Sequence, residues 1–130
     1  MLWKIFAREG DKGSEYARDC YQNRVIVVGW SGLGDLNAIE SREDLGKKLQ
    51  RFWGREAKGG PNTIAQWVGS LWSYRTEVGK GHYVICPDSD SKQYYVGIIQ
   101  SKRLYHDIRP IGGIPAGEFV HRRKVKWFAY

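Results

Sequence analysis

The sequence predicts an α+β fold: a small mixed β-barrel flanked by helices, built as a single domain over residues 1–130. Three observations carry that prediction. Strand-like segments stand at both ends of the chain. The run Val25–Val28 is continuously β-branched, as in a strand buried on both faces, and it stops at Gly29. Two longer helical segments lie between that run and a central hairpin, and with few strands a small mixed barrel closed by helices is the economical arrangement.

Taken in order, Leu2 to Ala7 reads as a first strand with Trp3 and Ile5 on one face. Gly10 to Gly13 reads as a turn, and Ser14 as the cap of a short helix through Tyr21, with Tyr16, Ala17, Cys20 and Tyr21 sharing a face. The strand at Val25 runs into a Gly-rich loop, Gly29-Trp30-Ser31-Gly32-Leu33-Gly34-Asp35. Such a loop sets a flat aromatic beside backbone that a ligand can approach closely. Trp30 is therefore either a core residue closing the barrel end or one wall of a pocket for a flat ring.

Ser41 begins the next helix as an N-cap with Asp44 three residues on, and Leu45, Leu49 and Phe52 recur at helical spacing. Gly54 to Gly60 is a basic connector. Pro61 opens a second long helix whose Ile64, Trp67, Leu71, Tyr74 and Val78 fall within roughly 80° of arc, a core stripe. Trp72 lies off that stripe, so it packs under a neighbouring loop or faces a ligand. Gly79-Lys80-Gly81 ends the helix. His82 to Pro87 and Tyr94 to Gln100 form a hairpin over the polar turn 88–92, whose Asp88 and Asp90 read as a solvated tip. Leu104 to Gly117 reads as an irregular loop with room for one short strand. Phe119 to Phe128 is the closing strand, with His121, Arg123, Val125 and Trp127 on one face and Arg122, Lys124 and Lys126 on the other.

Composition narrows the chemistry. A net charge of +7 makes acidic polymers the first partners to consider, and six Trp with eight Tyr are more than a core of this size absorbs. Cys20 and Cys86 fit no metal or redox spacing and read as reduced thiols of a cytoplasmic protein. No apolar run is long enough to cross a bilayer, so no membrane partner is expected. His82, His106 and His121 stand far apart, so no metal site is expected. Ser31 lacks the first glycine and following helix of a nucleophile elbow, and the glycine loop lacks the Lys-Ser/Thr of a phosphate loop. No catalytic residue and no cofactor is expected; the chain reads as a binding module.

From Lys102 onward seven basic residues (Lys102, Arg103, Arg109, Arg122, Arg123, Lys124, Lys126) face two acids, with Tyr105, Trp127 and Tyr130 among them. Rings among cations suit a ligand of stacked bases on a phosphate chain. The same charges equally suit the solvated face of an edge strand, protected from further pairing.

Four ordered motifs, Ile26 to Leu36, Ala65 to Tyr74, Gly79 to Pro87 and His121 to Trp127, resemble the EVE-type branch of the PUA-like superfamily. They are similar in particular to the N-terminal module of Mrr-like and McrB-like modification-dependent restriction endonucleases, and the resemblance runs from Trp3 to Trp127. It implies a small barrel related to the YTH domains that read N6-methyladenine in RNA, with a modified base flipped into an aromatic pocket. By motif position it implies Trp30 and Trp127 as pocket walls, with Trp72 and Tyr95 as further wall candidates. Ser31, Leu33, Asp35 and Asn37 are the pocket residues nearest in sequence, and Arg103, Arg122, Arg123, Lys124 and Lys126 the backbone-binding set. The function implied is recognition of methylated or hydroxymethylated DNA. The chain carries no Asp…Glu-x-Lys nuclease core, so cleavage is expected in a fused or associated nuclease or NTPase. An RNA reader of the YTH or PUA kind, and an interaction domain that does not bind nucleic acid, are the alternatives.

Overall fold

The computed structural model describes residues 1–8 and 16–128. The turn expected at Gly10 to Gly13 and the Ser14 cap lie outside the described residues. Six strands form one curled sheet: β1 (Leu2–Lys4), β2 (Val25–Val28), β3 (Tyr83–Asp88), β4 (Gln93–Ile99), β5 (Tyr105–His106) and β6 (His121–Trp127). The order is β1-β3-β4-β6-β2, with β5 also on β6. Among the described residues only the β1–β3 pair is parallel; the hairpin β3–β4 and the pairs made by β6 are antiparallel. Strand β6 is the hinge of the sheet. One of its edges carries β2 along His121–Lys124, while the other carries β5 at His121–Arg122 and then β4 at Val125–Trp127. β1 and β2 are the two ends of the order and do not pair, so the sheet is a half-barrel rather than a closed one.

Three helices cover it: α1 (Ala17–Gln22), α2 (Arg42–Trp53) and α3 (Pro61–Thr76). Ser41 caps α2 as the sequence predicts, its Oγ accepting from the Asp44 N–H at 3.0 Å. Pro61 occupies the first turn of α3, where its missing N–H costs nothing. Helices α2 and α3 pack against each other, and α3 is tied to the sheet by Tyr74. The Tyr74 hydroxyl, on a buried side chain, lies 3.2 Å from the carbonyl oxygens of both Ile26 and His121. Burial pushes its phenol pKa far above the ordinary value.

Two expectations are corrected here. Asp88 is not a solvated tip: it is 3% exposed and accepts from the Tyr95 hydroxyl (3.2 Å) and the Asp90 N–H (3.1 Å). Arg122 and Arg123, predicted on opposite faces of a strand gripping a ligand backbone, are 0% and 1% exposed. The alternation argument assumes that one face of β6 meets solvent. Its first half is instead covered on both sides. Arg123 Nη2 donates to the Tyr74 and Arg75 carbonyls (2.9 and 3.1 Å) at the end of α3, where a cation also offsets the helix dipole. Arg122 points the other way, its Nε donating to Phe119 O (3.0 Å) and its Nη2 to Arg109 O (2.6 Å) and Glu118 O (3.4 Å). Alternation resumes further on, with Lys124 and Lys126 exposed and Val125 buried.

Candidate binding pocket

Strand β2 ends against the wall of a cavity of about 570 Å3 lined by Arg8, Gly29, Trp30, Ser31, Trp53, Glu56, Trp67, Glu118 and Phe119. Three indoles meet there. Trp30 lies edge-on to Trp53, ring centres 5.0 Å apart at 90°, and tilted at 54° to Trp67, 4.9 Å away. Each ring comes from a different element: the loop after β2, the last residue of α2, and the middle of α3. All three are half-buried. Gly32 makes the close packing possible, since a Cβ there would stand 3.2 Å from two atoms of the Trp53 ring.

The backbone that presents these rings is strained. Trp30 adopts φ 63°, ψ 38°, and Phe119, which also lines the cavity, adopts φ 49°. A bulky residue in the left-handed region costs on the order of 1–3 kcal/mol and persists only where its surroundings hold it. At Trp30 the hold is its carbonyl, which accepts from Leu33 N (3.0 Å) and from His121 Nε2 (3.1 Å). At Phe119 it is the Arg122 guanidinium. His121 must carry its proton on Nε2 to donate, and its pKa is lowered by burial, with the Trp30 carbonyl pulling the other way and His106 adding to the depression. Two buried side chains of β6, His121 and Arg122, thus act on the pocket by positioning its walls.

The predicted site residues divide among several places. Trp30 and Ser31 line the pocket. Trp53 and Trp67 also line it, and neither was among the predicted walls; Phe52, expected on the apolar face of α2, is 50% exposed while its neighbour turns inward. Leu33 is buried core beneath the loop. Asp35 caps the following 3-10 turn, accepting from Asn37 N at 2.9 Å. Asn37, Trp72 and Arg103 line a second, more polar cavity together with Arg75, whose guanidinium lies 4.7 Å from the Trp72 ring and donates to the Ile39 carbonyl. Tyr95 and Trp127 lie in a separate aromatic cluster with Tyr21. Trp127 is therefore not a wall of this pocket: its indole N–H donates to Cys20 O at 3.0 Å.

Among the described residues no group of three His, Cys, Asp or Glu side chains could hold a metal ion, and no helix is long and apolar enough to cross a membrane. What the pocket offers is aromatic area, a serine hydroxyl, and charge of both signs from Arg8, Glu56 and Glu118. Fold and site together define a small α+β domain with a tryptophan-walled cavity where β2 runs into its glycine loop. The chain belongs to the family described as Domain of unknown function (DUF8426), whose model matches residues 3–130. Comparison with curated proteins gives no match.

Proposed function

We propose that this domain reads a chemically modified base in a nucleic acid, DNA in the first instance, by taking the flipped base between Trp30, Trp53 and Trp67. The observation that carries the reading is the meeting of three indoles from three elements around one cavity, at a strained loop. The cavity falls within the roughly 300–1,000 Å3 of small-ligand sites. Extruding a base costs a few kcal/mol, and stacking returns about 1–3 kcal/mol per base. A buried methyl adds only about 0.8 kcal/mol, so discrimination needs polar contacts as well. Ser31 can donate or accept, and the Glu56 and Glu118 carboxylates can accept from the exocyclic amine of a cytosine- or adenine-type base. The resemblance to EVE-type modules supports the same reading. On that resemblance, the domain would work beside a fused or associated nuclease or NTPase in a modification-dependent restriction system.

The test is binding to oligonucleotides that differ in one methylated or hydroxymethylated base. Trp53→Ala and Trp30→Ala should remove the preference for the marked strand while the fold survives. Unchanged discrimination in both variants would sink the reading. Matched RNA strands competing better than DNA would move it to an RNA reader.

The two carboxylates support a second reading, a methylated ammonium group held against the indoles by cation–π attraction. Quenching of tryptophan fluorescence by tetramethylammonium, with no response to methylated nucleosides, would establish that reading instead.

A further inference from the structure

A second feature of the molecule is independent of what fills the tryptophan pocket. A cleft of about 470 Å3 lies between the start of β2, residues 100–111 and β6, lined among others by Arg24, Gln100, Tyr105, Asp107, Arg109, Arg122 and Lys124. Four of these are cations and one is a carboxylate. That carboxylate is already engaged: Asp107 accepts from Arg109 N (2.9 Å), Nε (3.0 Å) and Nη2 (2.7 Å). Those bonds hold its pKa well below the usual carboxylate range, so it stays ionised and committed to Arg109. Arg122 Nη1, fully buried, stands 3.8 Å from Asp107 Oδ1, beyond hydrogen-bond reach, and has no hydrogen-bond acceptor. Arg24, in the turn just before β2, and Lys124, on β6, have no acidic partner among the described residues. Arg24 also holds a left-handed backbone, φ 58°. A cleft with a surplus of positive charge and low-dielectric walls concentrates anions. Gln100 and Tyr105 add neutral donors, the mixture that phosphate oxygens take.

We infer that this cleft is a phosphate-binding site, its charge supplied by Arg24 and Lys124 at the rim, with Arg122 buried behind its wall. The cleft and the tryptophan pocket share the segment 118–122. Arg122 lines one, and the Glu118 and Phe119 carbonyls it holds belong to residues lining the other. Phosphate at the cleft would therefore sit beside the pocket wall. The ligand is a phosphodiester of a bound strand or free phosphate.

The test is amide chemical-shift mapping of the intact chain with inorganic phosphate and, separately, with a short unmodified oligothymidylate, each against chloride at equal ionic strength. Shifts centred on Gln100, Tyr105 and Lys124 are expected. Their appearance with phosphate alone assigns a free anion, and with the oligonucleotide a strand. The Arg24→Gln, Lys124→Gln double variant should weaken oligothymidylate binding about tenfold and flatten its salt dependence by about 1.4 in slope, two contacts at about 0.7 each on a single strand. No shifts at the cleft with either probe, or an unchanged salt slope after oligonucleotide shifts are seen, overturns the inference. Trp30→Ala should leave the slope intact, so failure of the pocket and failure of the cleft are read separately.

Discussion

The domain carries two clusters of three aromatic side chains, and they differ in what they enclose. Tyr21, Tyr95 and Trp127 fill their space: Tyr21 stacks on Tyr95 at 4.6 Å, and Trp127 closes the group. Two of their three polar ends are satisfied within the protein, Tyr95 by Asp88 and Trp127 by the Cys20 carbonyl. Trp30, Trp53 and Trp67 stand around a cavity instead. Among the described residues, Trp3 and Trp127 are the tryptophans whose indole N–H reaches a protein acceptor. A ring whose edge is hydrogen-bonded to the fold is part of the fold. A ring with an idle N–H beside open space has a face and a donor left for something else. Aromatic content alone does not separate the two; the fate of the polar edge does.

The contrast can be broken most directly by Trp127→Ala, which should cost about 3 kcal/mol of stability in urea denaturation and leave binding per folded molecule unchanged. A loss no larger than that of Trp53→Ala would erase the distinction. Next in size, Trp53→Ala should weaken binding of a marked oligonucleotide by about 1–3 kcal/mol, measured by fluorescence anisotropy, with a smaller loss of stability. Tyr95→Phe should cost about 1 kcal/mol of stability by removing the bond to Asp88, with no effect on binding.

The smallest effect expected is a pH dependence at His121. Its folded pKa is lowered, so the unfolded chain takes up the proton first as pH falls below about 6.5. Stability should therefore decline as pH falls below about 6.5 and be constant from this source well above it. His121→Gln, which keeps a donor near the Trp30 carbonyl, should flatten the decline in denaturant midpoints. A decline as steep as in the parent would remove His121 as its origin.

Much of the fold was legible in the residues. The β-branched run at β2, the Ser41 cap, the proline opening α3 and the polar turn between β3 and β4 are local signals, and each is set by the few residues that show it. Trp30 and Ser31 were legible for the same reason, since a glycine loop after a buried strand leaves its tryptophan at an end of the sheet. The missed residues depend on distant neighbours. Trp67 sits in the apolar stripe of α3 and looks like core; only its meeting with Trp30 beside the cavity makes its ring a wall. Trp53 was hidden by Phe52, which completes the Leu45–Leu49 spacing equally well. Gly32, the glycine its ring packs against, was the available hint. Arg122 and Arg123 misled because period-two reasoning supplies faces but not what covers them. Here α3 covers one and residues 105–119 the other.

The left-handed backbone at Trp30 sets folding and recognition against each other at one position. Glycine there would relax the chain by about 1 kcal/mol or more and take away the ring. A library selected only for thermal endurance should thus gather glycine at residue 30, while one selected for ligand capture should expel it. Sequencing the survivors of the two regimes would reveal which demand shaped the loop.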